Sequence, residues 1–172
     1  MVEWIYYPRS DEPPGLAREI VKVFESADAR ICSPEHTFSS NEALAELRLG
    51  LQALGFRVEI GKKTSEKLSV PVLFGRNGRV GKSFDADAFH ETAGFVLEVE
   101  AGRAVSNNQF LKDLFQACLM VGVEYLGIAV RRVYQAGGAT GKDFEAVVTF
   151  FDTLYASNRL KLPLKGVLLI GY

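Results

Sequence analysis

Residues 69–102, "SVPVLFGRNGRVGKSFDADAFHETAGFVLEVEAG", decide the fold. Within them "GRNGRVGKS" (75–83) looks at first like a phosphate-cradling loop. That loop needs Gly, four residues, then Gly-Lys-Ser or Gly-Lys-Thr, set between a strand and a helix. Counting back from Gly81-Lys82-Ser83, the required glycine falls at Arg76. The flanks fail as well. "SVPVLFG" before it is β-branched and apolar, and "FDADAF" after it alternates without a helical period. Asn77-Gly78 lies between two strand-like runs, and both residues tolerate positive φ, which is the signal of a tight hairpin turn. The stretch is a hairpin, and no nucleotide cofactor is expected from it. "AGGATGKD" (136–143) carries no G-x-G-x-x-G pattern either.

Working outward, Ser39 and Glu42 form an S-x-x-E capping box that opens "EALAELRLGLQALGF". Leu44, Leu47, Leu51 and Leu54 recur there at helical spacing until Gly55 stops the helix. An earlier amphipathic helix, "LAREIVKVFESA", follows Pro13-Pro14-Gly15. "RVEIG" reads as a short strand and "KKTSEK" as a basic loop. After the hairpin, "FHETAG" turns the chain and "FVLEVEAG" is the next strand. Ser106 and Gln109 make a second box, S-x-x-Q, before the helix "QFLKDLFQACLMVG". Then come a strand "YLGIAVRRVY", a loop "AGGATGK", an amphipathic helix "DFEAVVTFFDTLYASNRL" and a buried strand "GVLLIGY". The order predicts an α/β domain with a mixed sheet, antiparallel first and parallel later, and helices on its faces. A single domain over 1–172 is expected, with an N-terminal helix and loop at 1–38, a core at 39–135 and a C-terminal helix and strand at 136–172.

The 172 residues are 48% hydrophobic and 24% charged, enough for one ordinary core. A formal net charge of -1 gives no general attraction to nucleic acid or membrane, so a nucleic-acid partner needs a local patch. Cys32 and Cys118 lack metal-like spacing and read as reduced thiols, which suits the cytoplasm. "MVEWIYYPRSDEPPG" lacks the pattern of a signal peptide, and no apolar run is long enough to cross a bilayer.

The chemistry lies in the carboxylates. Strand side chains alternate faces, so Asp85 and Asp87 share one face of "FDADAF". Glu98 and Glu100 share one face of "FVLEVE", with Phe95, Leu97 and Val99 on the other. Pairing of these strands brings up to four carboxylates onto one small surface. A solvated sheet face accounts for the alternation, but it would intersperse lysines, and neither "DAD" nor "EVE" has one. Like charges opposed on a sheet destabilise it, by roughly 4 kcal/mol per pair at about 4 Å near a protein surface. A divalent cation resolves that conflict, since Mg²⁺ takes one or two carboxylates, waters and often a phosphate oxygen.

Asp87, followed after a turn by a strand with Glu98-x-Glu100 and then a helix, resembles the catalytic hairpin of the PD-(D/E)xK nuclease superfamily. The match covers roughly residues 39 to 135, and "FVLEVEAGRAVSNNQFLKDLFQA" looks closest to type II restriction endonucleases whose motif ends in glutamate. The resemblance implies a restriction-endonuclease-like core and Mg²⁺- or Mn²⁺-dependent hydrolysis of DNA by a homodimer with one site per strand. Carried over, Asp87, Glu98 and the Val99 carbonyl are cation ligands, with Asp85 competing for the first place. Glu100 stands where the common motif has lysine and becomes the candidate general base. Lys112 or Lys82 is left to supply the missing positive charge. Glu46, on the preceding helix, matches the place of an additional metal-site acid in many members, although a solvated helix face explains it equally. Without a cation near Glu100, the fold would serve as a binding module only. An Mg²⁺ hydrolase of another phosphoester would use the same acids.

Lys62, Lys63, Lys67, Arg76, Arg79, Lys82, Arg103 and Arg131-Arg132 surround the expected site and are candidates for phosphate contacts, surface solvation being the alternative. Asn107, Asn108 and Gln109 either read base edges or open a helix. His90 reads as a turn residue, and Cys118 as core.

Overall fold

The computed structural model describes residues 1–61, 63–102, 104–136 and 139–172. Along the chain run β1 (Glu3–Tyr7), α1 (Gly15–Ile31), α2 (Ser40–Ala53), β2 (Arg57–Val58), β3 (Leu68–Phe74), β4 (Val80–Ala86), β5 (Ala88–His90) and β6 (Phe95–Glu100). Then follow α3 (Gln109–Leu119), β7 (Tyr125–Val130), β8 (Tyr134–Ala136), β9 (Ala139–Gly141), α4 (Asp143–Ser157) and β10 (Gly166–Gly171). Six strands form one mixed sheet in the order β1-β10-β7-β6-β5-β2. The central β6, β7 and β10 are parallel, while β1, β5 and β2 pair antiparallel at the two sides. The parallel strands are covered on both faces, which is why "YLGIAV" and "GVLLIG" are continuously apolar.

Helices α1 and α2 cover one face. Ile20, Phe24, Leu44, Leu47 and Leu51 pack there on Phe95, Leu97 and Val99 of β6. Helices α3 and α4 cover the other, where Phe110, Leu114, Val147 and Phe151 meet Val96, Leu126 and Ile128. Alternation along β6 therefore turns Glu98 and Glu100 toward the α3 side. The Ser39–Glu42 capping box forms: the Ser39 hydroxyl accepts from the Glu42 amide at 3.4 Å, and the Glu42 carboxylate accepts from the Ser39 amide at 2.7 Å.

Several sequence expectations need correction. The second capping box does not form, because α3 starts at Gln109, which is its first residue and not its third. Asn108 takes the cap position at φ 53 without a side-chain cap bond. The N-terminal "EWIYY" is a strand, pairing Glu3 with Gly171 on β10 and sending Tyr6 and Tyr7 into opposite layers. "FDADAF" is not one strand. The chain bends at Asp87, so β4 belongs to a separate two-stranded sheet with β3, and β5 to the main sheet. The tight turn itself is as expected, with Asn77 at φ 59 and Gly78 at φ 70. "YLGIAVRRVY" ends as β7 at Val130, and the stretch read as the loop "AGGATGK" contains β9, with Gly137 and Gly138 outside the described residues.

Phe150, Phe151 and Tyr155 of α4 pack inward: Phe151 is fully buried, Phe150 meets Phe110 edge-on at 5.2 Å, and Tyr155 stacks on Tyr7 at 5.2 Å. Both cysteines are free thiols. Among the described residues, no helix is long and apolar enough to cross a membrane.

Candidate active site

The pairing of β5 with β6 sets the site. Ala88 lies opposite Leu97, so one step further Asp87 meets Glu98. The Val99 amide donates to Asp87 Oδ2 at 2.7 Å. Asp87 is thus held at the bend by the strand that carries Glu98 and Glu100. Its own carbonyl accepts from the Glu59 amide at 2.7 Å, which brings Glu59 alongside. The Glu100 main chain is fixed from two directions: the Tyr172 hydroxyl donates to its carbonyl at 3.3 Å, and the next amide, Ala101, donates to Ser40 Oγ at 3.0 Å.

These residues line a cavity of about 360 Å³ between the end of β6, the β3–β4 hairpin and α3. Asp85, Asp87, Glu98, Val99, Glu100, Lys82 and Lys112 all reach it. So do Glu59, Lys67 and Asp113, which makes six carboxylates against three ammonium groups. Glu98 is 7% exposed and Asp113 3% exposed. Asp113 lies in contact with the Glu100 carboxyl, and its Oδ1 is 3.4 Å from Lys112 Nζ.

Burial in this crowded cavity, followed by the neighbouring negative charges, pushes Glu98 well above the usual carboxylate range. Burial raises Asp87 to about 7 against the opposing Val99 amide bond, and raises Glu100 to about 8, with Asp113 and Asp87 adding to it. Asp113 is raised for the same first reason. Asp85 behaves oppositely: the Ser69 hydroxyl at 2.8 Å and Lys67 at 3.1 Å hold it low. Of the two aspartates that competed for the place beside Glu98, Asp87 is the one that lies across from it, while Asp85 is satisfied by the hairpin at the rim.

The basic candidates divide. Lys67 bridges Asp85 and Glu59, 3.7 Å from the latter, and Lys82 lies over the Phe84 ring at the cavity edge. Arg76 and Arg79 are exposed at the hairpin tip and Lys63 in the preceding turn, all outside the cavity. Lys62 and Arg103 lie outside the described residues. Arg131 is buried and donates to the Phe38 carbonyl, while Arg132 pairs with Glu3 at 2.9 Å. Glu46 does not reach the cavity: α2 turns it toward α1, where it pairs with Arg30 at 2.7 Å. Glu59 lines the cavity instead. His90, read from sequence as a turn residue, is instead the last residue of β5, paired with Phe95, and its Nδ1 accepts from the Ala93 amide in the turn that follows. Asn107 and Asn108 are exposed at the start of α3.

Two acids of the cavity escaped the sequence reading. Glu59 follows a two-residue strand with no pattern to mark it. Asp113 did carry a signal, an acid on the same buried helical stripe as Phe110, Leu114 and Ala117.

The donor set is carboxylate and carbonyl oxygen, which suits Mg²⁺ or Mn²⁺. Among the described residues, no three His, Cys, Asp or Glu side chains are gathered tightly enough to hold an ion by themselves. Mg²⁺ asks less than that, since one or two carboxylates suffice when waters and phosphate oxygens complete the shell. Asp113 Oδ2, buried at the cavity wall and without a hydrogen-bond partner among the described residues, is a further oxygen donor.

Comparison with solved structures matches the whole architecture. The restriction endonuclease BglII in complex with a DNA 16-mer superposes with a TM-score of 0.58 at 16% identity, over 99% of this chain and 77% of that one. The fold is restriction-endonuclease-like. Free BglII superposes with a TM-score of 0.53 at 14% identity, over 99% and 78% of the two chains. No family model matches the chain, and no curated protein matches it significantly in sequence. At these identities the likeness establishes the fold alone.

Proposed function

We propose that the protein is a metal-dependent nuclease that hydrolyses DNA phosphodiester bonds. The observation that carries this is the convergence of Asp87, Glu98 and Glu100, with Glu59 and Asp113, on one lysine-edged cavity of a restriction-endonuclease-like fold. Asp87, Glu98 and the Val99 carbonyl would hold the cation. Bound there, Mg²⁺ or Mn²⁺ would supply Lewis acidity toward a phosphate oxygen and acidity to a water. Glu100, raised to about 8 while the cavity holds no cation, would ionise once the cation offsets the negative charge around it, and would then take a proton from the attacking water. Lys112 and Lys82 offer positive charge toward the phosphate from α3 and from the hairpin. A cation within reach of Glu100 favours catalysis over a purely binding role, because Lys112 acts electrostatically on that carboxyl. Arg76 and Arg79 at the hairpin tip extend the basic edge for backbone contacts, and the chain is proposed to work as a homodimer, one site per strand. DNA is inferred as substrate from this basic edge and from the architecture it shares with a DNA-bound endonuclease.

The test is cleavage of plasmid and single-stranded DNA with Mg²⁺ or Mn²⁺, comparing wild type with Asp87→Ala and Glu98→Ala. Metal-dependent cleavage that disappears in both folded variants supports the proposal. No cleavage by wild type with either metal overturns it.

A further inference from the structure

The β3–β4 hairpin forms a two-stranded sheet of its own. Its base is fixed: Leu68 and Val70 are buried, Val72 and Phe84 pack on the α3 layer, and the Val121 amide donates to the Pro71 carbonyl at 2.9 Å. Its outer half projects, and every residue from Leu73 to Lys82 is exposed. Leu73, Phe74 and Val80 stand there at 62%, 49% and 54% exposure, with Phe74 and Val80 directly opposite each other across the strands. Single exposed apolar residues are ordinary, but three together at a projecting tip mark a contact surface. The tip is also well defined. The Gly75 amide donates to the Arg79 carbonyl at 2.7 Å, Asn77 and Gly78 close the turn at positive φ, and the two register shifts beside Leu73 add twist. Arg76 and Arg79 flank that turn, Lys82 follows, and no Asp or Glu occurs from Leu68 to Phe84.

We infer that this tip is a wedge for duplex DNA: Phe74, backed by Val80, enters between two stacked bases, and Arg76 and Arg79 hold the phosphates beside the opened step. The inference rests on the nuclease reading for where the duplex lies, and goes beyond it in assigning a contact to the bases. A tip with three cations and no anion, on a chain of net charge -1, selects a polyanion. Phosphate contacts alone would leave the exposed apolar side chains without a use. An aromatic ring among them matches the π-face of a base, and apolar side chains pushed between base steps unstack and kink a duplex. The same strand runs from the tip into the acidic cavity, where Lys82, Ser83, Phe84 and Asp85 line the wall. A DNA strand with a phosphate in that cavity therefore has the hairpin beside it, and opening one step there frees its backbone to enter. A second copy of the chain fits the tip poorly, because a two-fold contact through it would set Arg76 and Arg79 against their own counterparts.

The test uses the full-length protein in EDTA, so that binding is read without cleavage. The probes are two short duplexes of one sequence, one fully paired and one with a single mispaired base, each carrying 2-aminopurine at that step. A mispaired step has already lost part of its stacking, so a wedge binds it more tightly. Wild type is expected to favour the mispaired duplex by about tenfold and to raise the 2-aminopurine fluorescence as the base is unstacked. Phe74→Ala is expected to lose the preference and the fluorescence rise while keeping the salt dependence, and Phe74→Tyr, which keeps the ring, to retain all three. The double variant Arg76→Ala, Arg79→Ala is expected to weaken binding to both duplexes by the same factor. Equal affinity of wild type for the two duplexes without a fluorescence change overturns the inference, and so does a folded Phe74→Ala that keeps the preference. Failure of wild type to bind either duplex overturns it whatever the cleavage assay shows. A wild-type dimer that Phe74→Ala turns into a monomer in sedimentation, with DNA binding unaltered, gives the face to a second copy and overturns the wedge. Preference and unstacking without DNA cleavage would uphold the wedge and overturn the nuclease, whereas cleavage without them would do the reverse.

Discussion

Replacing Glu100 by glutamine should make the metal-free protein more stable, and the gain should grow with pH. Glu100 titrates near 8 in the folded chain against an ordinary value of 4.5, first because it is buried and then because Asp113 and Asp87 face it. Between those two values the folded state binds more protons than the unfolded one, so stability falls as pH rises through the window. Below about pH 4.5 the penalty is absent, and above about pH 8 it is complete. At pH 7 the folded protein holds a proton that the unfolded chain would release, at a cost of about 3 kcal/mol from 1.36 kcal/mol per pH unit. Glu100 is partly open to water, and screening trims the expected gain of Glu100→Gln to about 2 kcal/mol. For a chain of this length, that is about 4–8 °C in melting temperature. The assay is thermal or urea unfolding of both proteins in EDTA, from pH 5 to pH 8.5. The variant should melt close to wild type at pH 5 and clearly above it at pH 8. Addition of Mn²⁺ should narrow the difference, because a cation held by Asp87 and Glu98 offsets the negative charge facing Glu100 and draws its titration back toward the ordinary range. A variant that melts at or below wild type at pH 8, or that keeps the wild-type pH slope, would refute the assignment of uncompensated charge to this carboxyl.

Two further outcomes follow from the placement of side chains. Replacing Arg76 and Arg79 together by alanine should weaken DNA binding across all sequences and flatten the dependence of log affinity on log salt by about 2, one step per lost phosphate contact; filter binding at several salt concentrations checks it. Glu46→Ala removes only the pair with Arg30 on the α1–α2 surface, so Mn²⁺ affinity by calorimetry and DNA cleavage should stay within about twofold of wild type.

The sheet was legible because its signals are local. The Asn77-Gly78 turn, the Ser39–Glu42 box and the alternation of "FVLEVE" each depend on a few neighbouring residues, and alternation alone sends Glu98 and Glu100 to one face of β6. The bend at Asp87 was not legible, since it arises where the hairpin leaves one sheet and the chain enters another. The strand β1 was missed because its partner, β10, lies at the far end of the chain, and only that pairing makes "EWIYY" a strand.

Glu46 and Glu59 show why the additional acid could not be chosen from sequence. Leu44, Leu47 and Leu51 commit one side of α2 to the core. Glu46 precedes Leu47 by one residue and so lies about 100° around the helix axis, but whether that direction meets the cavity or α1 depends on how α2 is rolled against the sheet. Here it meets Arg30 of α1. Glu59 reaches the cavity through a backbone bond to Asp87, a contact made by the fold and not by spacing. Asp113 is the different case, because its anomaly was visible as a charge on an apolar stripe. When local pattern and residue type conflict in this way, a natural chain is expected to hold the conflict for a task elsewhere.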